Sequence, residues 1–273
     1  MKDELQVINQ ELSRIKKEVD VLAIIAVGSS RDVVLKAQGI AIDDNKKDEG
    51  ESREDGVIDF ISRDKDRDKK INDVDLFIIT TEDETKQLRQ IKRIKEVEFD
   101  LNYFPEVIFK EMIRRKVQFV LEEMFSGKVV YDPDGVGENY IQLARQTYES
   151  GPPQSSKGNL TYLKFNLQSK LDSIIKLEQA GWEDSKEKEL EFLFLSNLWL
   201  KSLLAYYFKI KEIWVPKEKR LLKVLKQEDE LLYDKVKSFY EKKEAKLLKD
   251  IAGYVFYEDG VKLGDEMRFK FKF

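Results

Sequence analysis

The chain has 273 residues, of which 41% are hydrophobic, so it is long enough to form two domains with substantial cores. It contains no cysteine and no histidine, which excludes disulfides, thiolate or imidazole metal sites and any mechanism that needs a histidine base. The net charge is −4, without the basic excess of a nucleic-acid binder, so we do not expect nucleic acid as a partner or substrate.

The N-terminus carries no recognisable targeting signal. Residues 1–5 are charged and amphipathic, and no stretch of the chain reaches the length of a membrane span. The absence of cysteine fits a reducing cytoplasm. We therefore expect a soluble, cytoplasmic protein that does not bind a membrane.

The chain begins with a helix that leads into a buried strand. Apolar residues at spacings of three and four predict an amphipathic helix over 3–19. The continuous apolar run over 20–27 predicts a fully covered strand, which stops at the turn Gly28-Ser29. Residues 43–70 are dominated by charged side chains, and we interpret them as an insertion.

A second apolar strand, over 72–79, carries the aspartates Asp73 and Asp75. Side chains alternate along a strand, so both carboxylates lie on one face and the apolar residues between them on the other. Carboxylates on a buried strand are costly without a partner, and a divalent metal is the obvious one. The Asp-x-Asp triplets over 64–68 lie among lysines and arginines, and we interpret them as solvated loop.

The next elements continue the mixture of helices and strands. The charged segment over 82–95 predicts a helix, and the alternation over 97–104 predicts a third strand whose polar face carries Glu98 and Asp100. Glu98 fits either a supporting role beside Asp100 or a solvated strand edge. The elements predicted after this strand are a helix over 106–125, a strand over 128–131 and a helix over 137–149.

The rest of the chain has the pattern of a helical bundle. Residues 151–159 are rich in Gly, Pro and Ser and form the best linker, so we place the domains at 1–150 and 151–273. The tail over 267–273 alternates strictly and is interpreted as an edge strand. The helices predicted in this part cover 160–180, 184–211, 217–227 and 229–251.

Three features in order carry a resemblance to a known family: the turn Gly28-Ser29, the pair Asp73-Val74-Asp75 and the later Asp100. Together they resemble the nucleotidyltransferases of the DNA polymerase β-like superfamily, in particular the small-molecule branch that contains the aminoglycoside and lincosamide nucleotidyltransferases. The resemblance covers residues 20–135. It implies an α/β (α+β) nucleotidyltransferase domain with a mixed sheet, followed by an all-α helical-bundle domain that binds the acceptor.

The sequence departs from the family in two ways. The gap between the Gly-Ser turn and the first aspartate is far longer than the family's, because the insertion over 43–70 lies within it. The residues that follow the turn, Ser30-Arg31-Asp32, do not match the arginine- and glycine-rich continuation usual in the family. These two departures weaken the assignment of phosphate binding to the Gly28-Ser29 turn.

The resemblance also implies a reaction. Asp73 and Asp75 would hold two Mg²⁺ ions, and Asp100 would bind the ion that activates the attacking hydroxyl. Gly28 and Ser29 would bind the phosphates of ATP or another NTP. The reaction would transfer a nucleoside monophosphate, AMP from ATP, to a hydroxyl of a small-molecule acceptor, for which an antibiotic is the suggestion. Whether Asp100 or another carboxylate is the general base stays open.

A second, non-enzymatic function fits the same residues. A nucleotidyltransferase-like module with little or no activity would act as a binding partner, as in antitoxins that pair with helical ribonucleases. The nuclease itself is not expected in this chain, because its motif needs a histidine. The oligomeric state stays open, and a homodimer is one alternative.

Overall fold

The computed structural model describes residues 2–40, 73–81, 85–179 and 185–263. These residues form two units that divide between Pro152 and Pro153, called unit 1 and unit 2 below. The insertion predicted over 43–70 and the edge strand predicted over 267–273 lie outside the described residues.

Unit 1 is built on a five-stranded sheet, whose strands are β1 (Val21–Val27), β2 (Asp73–Thr80), β3 (Leu88–Ile94), β4 (Val97–Pro105) and β5 (Lys128–Tyr131). Their order is β3-β4-β2-β1-β5. The sheet is mixed, because β2 and β4 are parallel and the other neighbouring pairs are antiparallel. The two strands predicted to carry the aspartates are thus direct neighbours.

Helices pack against the sheet of unit 1 and are α1 (Lys2–Glu18), α2 (Arg31–Ala37), α3 (Glu106–Arg114), α4 (Gln118–Phe125) and α5 (Val136–Glu149). The apolar stripe of α1, with Ile8 and Leu12 fully buried, shares one core with Leu76 of β2. A separate aromatic group joins Phe77 of β2 to Phe104, whose ring centroids are 5.0 Å apart. The apolar residues of β2 thus bury themselves on both sides of the sheet.

Unit 2 consists of the helices α6 (Lys157–Gln179), α7 (Lys186–Ile210), α8 (Glu218–Glu228), α9 (Glu230–Lys242) and α10 (Ala245–Glu258). Its core is centred on α7, where the indole N–H of Trp199 donates to the carbonyl of Leu167 at 2.8 Å. In the described part of the chain, every helix is too short or too polar to cross a membrane.

The predicted fold class, a mixed sheet followed by a helical domain, is confirmed. The helix predicted over 82–95 is wrong, because residues 88–94 form the strand β3. This strand joins β4 through a two-residue turn in which Lys95 has a φ of 54°. A hairpin turn of this kind is usually marked by Asn-Gly or Asp-Gly, and Lys95-Glu96 gives no such mark.

Two predicted helices are in fact pairs of helices. The single helix predicted over 106–125 is wrong, since α3 ends and α4 begins around Lys116, which has a φ of 54°. The single helix predicted over 229–251 is wrong in the same way, since α9 and α10 are separated at Lys243, with a φ of 57°. A left-handed residue ends a helix, and glycine is its usual signal.

A buried ion pair fixes the end of α10 in unit 2. The Lys164 ammonium donates to Oδ1 of Asp259 at 2.9 Å and to the carbonyl of Val261 at 2.6 Å. The Tyr206 hydroxyl donates to Oδ2 of the same carboxylate at 2.8 Å. The Asp259 side chain is fully buried, and burial together with this carboxylate raises the pKa of Tyr206. Both charges are therefore paired inside the unit.

We predict that Asp259→Ala destabilises unit 2 by about 3–5 kcal/mol, because it leaves Lys164 buried without its counter-charge. Trp199 and Trp214 are buried in unit 2 and the sequence has no tryptophan before residue 153, so urea unfolding followed by tryptophan fluorescence reports on that unit. Asp250→Ala, at an exposed position of α10, is the control and should change the unfolding free energy by about 0.5 kcal/mol or less. Equal effects of the two substitutions would contradict a structural role for the pair.

Candidate active site

The sheet register brings two of the three predicted aspartates side by side. Asp75 of β2 lies opposite Asp100 of β4 in the parallel pair, and Asp73 lies opposite Glu98 one row away. Asp73 is exposed, whereas Asp75 and Asp100 are partly buried. The residues between them on each strand point into the core on the other face. One face of the sheet thus carries a row of carboxylates.

The charge around Asp75 is strongly unfavourable for its ionised form. Burial raises the pKa of Asp75 to about 6, and the negative charges of Asp73, Asp100 and Glu123 act in the same direction. The positive charge of Arg89 opposes them. Glu123 lies on α4, and no motif in the sequence links it to the two aspartates. Asp75 is therefore a carboxylate that needs a cation nearby when it is ionised.

The turn after β1 lies directly against Asp75. Gly28 has a φ of 68°, and a Cβ at this position would overlap the Asp75 carboxylate, so only glycine fits. The backbone N–H of Asp75 donates to Oγ of Ser30, which is buried, at 3.3 Å. Ser29, the residue predicted to bind phosphate, is exposed in the same turn. The structure therefore adds Ser30, whose role the sequence pattern does not indicate.

Asp100 already has a cationic partner. Arg89 of β3 donates to both of its carboxylate oxygens, from Nε at 2.9 Å and from an Nη at 2.6 Å. Nδ2 of Asn102 donates to the same carboxylate at 3.1 Å, and Nε2 of Gln87 donates to the Asn102 amide oxygen at 2.9 Å. The Asp100 carboxylate is therefore held in a chain of hydrogen bonds that starts on the edge strand.

A second arginine of β3 makes the equivalent contact one row along. Arg93 donates to Glu98 at 2.9 Å, and the Arg93 side chain is largely exposed while that of Glu98 is partly exposed. Glu98 thus has its partner on a solvated part of the strand. Neither arginine is indicated by the sequence prediction, because a helix over this segment would not align Arg89 and Arg93 with the acids of β4. A hairpin prediction would have done so, since cross-strand pairs of opposite charge are common in sheets.

The residues of this face fit a divalent cation by their chemistry. Its acids supply carboxylate oxygens, the ligands that Mg²⁺ prefers, and they surround Asp75, whose ionisation is opposed by its surroundings. Their present geometry is a poorer fit. Arg89 occupies both oxygens of Asp100, and within the described ranges no three acidic side chains group as a metal site. Arg89 and Asn102 take three of the about four lone-pair positions of the Asp100 carboxylate, so full access of a metal to Asp100 requires Arg89 to move.

Comparison with known proteins supports the fold. No family model matches the sequence, and no curated protein matches it. Among solved structures, the chain is similar to a nucleotidyltransferase-like protein from Exiguobacterium sibiricum 255-15, with a TM-score of 0.50 and 11% sequence identity. The likeness covers 94% of this chain and 77% of that one. At this identity it shows a nucleotidyltransferase-like fold.

We predict that Asp75→Asn stabilises the metal-free protein above pH 6 and has little effect at pH 4. The folded-state pKa of about 6 lies above the ordinary value of 3.8, so the folded state binds the extra proton and loses stability as the pH rises between these values. Because Asp75 is partly exposed, solvent screening reduces the gain to about 1–2 kcal/mol. Calorimetric unfolding from pH 4 to pH 8 measures it.

Asp134→Asn is the matched control for this experiment, because Asp134 is exposed in the turn before α5 and the substitution is chemically the same. Its effect on stability should be about 0.5 kcal/mol or less, because the position is exposed. A pH-independent effect of Asp75→Asn would show that the carboxylate does not carry the expected charge penalty. Added Mg²⁺ should narrow the difference between the wild type and Asp75→Asn, because a bound cation favours the ionised carboxylate.

Proposed function

We propose that this protein is a Mg²⁺-dependent nucleotidyltransferase that transfers AMP from ATP to a hydroxyl group of a small-molecule acceptor. The observation that carries the proposal is the contact of the Gly28 turn with Asp75, together with the register that sets Asp75 beside Asp100. A glycine turn whose backbone can approach a phosphate closely and a row of carboxylates are the two parts that a triphosphate with its metal requires. The nucleotidyltransferase-like fold is consistent with this function.

The proposed reaction is a single displacement at phosphorus. The acceptor oxygen forms a bond to the α-phosphorus of ATP, the bond from that phosphorus to the bridging oxygen breaks, and pyrophosphate leaves with the bond electrons. The hydroxyl proton passes to a carboxylate of the cluster, and Asp100 is one candidate. No oxidant or reductant is involved. The products are the adenylylated acceptor and pyrophosphate.

Each residue of the site has a part in this reaction. Asp73 and Asp75 would hold two Mg²⁺ ions, joined by Asp100 once Arg89 has released it. Mg²⁺ bound there would neutralise the developing charge on pyrophosphate and lower the pKa of the attacking hydroxyl. Gly28 lets the backbone of the turn approach the phosphates, while Ser30 fixes the turn to β2. An antibiotic is the acceptor that the family resemblance suggests.

We predict that purified protein transfers label from α-labelled ATP to an acceptor in a panel of hydroxylated small molecules, which includes aminoglycosides and lincosamides. Asp73→Asn and Asp75→Asn should each reduce the rate by about 10²-fold or more, because each removes a charge that holds the metal. Product formation is followed by chromatography of the labelled acceptor. Omission of Mg²⁺ should abolish transfer.

Asp134→Asn controls for the change of an aspartate to an asparagine elsewhere in unit 1 and should transfer label at the wild-type rate. Label transfer that survives Asp73→Asn and Asp75→Asn would overturn the proposal. So would the absence of transfer to every acceptor with saturating ATP and Mg²⁺, provided that the acceptors cover amino sugars, nucleosides and simple polyols.

A second candidate function rests on the contact between Arg89 and Asp100. If that pair is permanent, the positive charge of Arg89 stays against both oxygens of Asp100 and opposes a metal ion there, and the protein is a nucleotidyltransferase-like binding module of the antitoxin type. The two candidates differ in what Arg89 does when nucleotide is added. An enzyme must release Asp100, whereas a binding module keeps the pair closed and binds neither Mg²⁺ nor ATP.

We predict that a non-hydrolysable ATP analogue with Mg²⁺ raises the melting temperature of the wild type, and that Arg89→Gln reaches the same increase at a lower Mg²⁺ concentration. Arg93→Gln is the matched control. It removes the same charge from the same face, but Arg93 pairs with Glu98 rather than with Asp100. Its Mg²⁺ requirement should change much less. No thermal shift in any of the three proteins would favour the binding module over the enzyme.

A further inference from the structure

The outward face of α7 in unit 2 carries a stripe of exposed apolar side chains. Leu190, Phe194 and Leu198 are 69%, 60% and 49% exposed. They recur every four residues, so they lie along one side of the helix. The opposite side of α7 is fully buried and holds Phe192 and Trp199 in the core of the unit. Burial within unit 2 therefore does not account for this stripe.

Charged residues extend the stripe at both ends, and their signs differ. Glu187 lies three residues before Leu190, and Lys201 lies three residues after Leu198; both are exposed. The five positions therefore follow the spacing three, four, four, three, which reads the same from either end around Phe194. If the helix is turned end to end about Phe194, Leu190 and Leu198 exchange positions, and so do Glu187 and Lys201.

We propose that this face of α7 binds the same face of a second copy of this chain, with the two α7 helices antiparallel and a two-fold axis at Phe194. Leu190 of each chain then packs against Leu198 of the other, and each Glu187 meets a Lys201. Such an interface is isologous, because one patch serves both partners. The spacing of three and four is also the one with which helices pack side by side at a small angle.

The charges are the reason to choose a second copy as the occupant. A lipid surface or an unrelated apolar peptide would have no use for one acid and one base at equal distances from the centre. In an antiparallel dimer, Glu187 of each chain pairs with Lys201 of the other, so two ion pairs form across the interface. Lys201 already pairs with Glu218, but the two side chains are 56% and 77% exposed, and an ion pair in water contributes little. It does not prevent Lys201 from contacting a second carboxylate.

The size of the face sets the strength of the dimer. α7 has 25 residues and is about 37 Å long, of which the stripe from Glu187 to Lys201 covers roughly 21 Å. One helix face of that length buries less than the roughly 800 Å² per partner of a standard stable interface. The dimer is therefore expected to dissociate in the micromolar range, so its population depends on protein concentration.

Sedimentation velocity of the wild type between about 1 and 200 µM is expected to show a reversible shift from monomer to dimer. Phe194→Glu should weaken the dimer by at least tenfold, because it places two like charges at the axis. Leu231→Glu is the matched control, since Leu231 on α9 is an apolar residue of unit 2 that is exposed to a similar degree, and its change should leave the dimer intact. Circular dichroism checks that both variants keep the wild-type helix content.

A charge exchange tests the antiparallel arrangement itself. Glu187→Lys and Lys201→Glu should each weaken the dimer, because each sets like charges opposite one another. The double variant with both substitutions should recover the wild-type affinity. A wild type that stays monomeric at 200 µM, a dimer that Phe194→Glu leaves unchanged, or a double variant no tighter than the single ones would each overturn the proposal. None of these outcomes depends on whether the protein transfers nucleotides.

Discussion

The cost of ionising Asp75 is the constraint on which the rest of unit 1 depends. The antiparallel pairing of β1 with β2 and the parallel pairing of β2 with β4 place this carboxylate between a turn and another acid. Gly28 must lack a side chain to leave it room, and Ser30 holds the strand beside it. Arg89 then supplies an opposing positive charge from the edge of the sheet. The site is therefore built around a charge that the protein only partly compensates.

Asp259 and Asp75 differ in how the protein compensates the charge of an acid that is removed from water. Asp259 of unit 2 has an ammonium, a phenol and a backbone N–H as partners, so its charge is fully paired and it serves the structure. Asp75 has acids as its neighbours, and burial raises its pKa to about 6. Acids left in this state are typical of sites that act on a ligand, because a structural role would favour complete pairing.

The apolar patterns of the sequence predict the strands of the carboxylate face well, and this has a physical reason. A strand with one buried face needs alternating apolar and polar residues, as β4 has around Asp100. Burial of the apolar face then fixes the register between β4 and β2. The pattern fails for β3, whose residues are mostly exposed, because such a strand is not required to be apolar on either face. Arg89 was missed with it. Glu123 was missed because only the tertiary fold brings it near Asp75.

The breaks that the sequence does not reveal share one feature. Lys95, Lys116 and Lys243 all adopt the left-handed backbone conformation. For a residue with a β-carbon this conformation costs roughly 1–2 kcal/mol. Surrounding structure, rather than local preference, holds these turns. Lys116 has a compensating contact, since its ammonium donates to the carbonyl of Gly151 at 2.8 Å. Asparagine tolerates this conformation better than lysine, so Lys95→Asn and Lys243→Asn should each stabilise the folded protein. Neither substitution would alter the core or the carboxylate face.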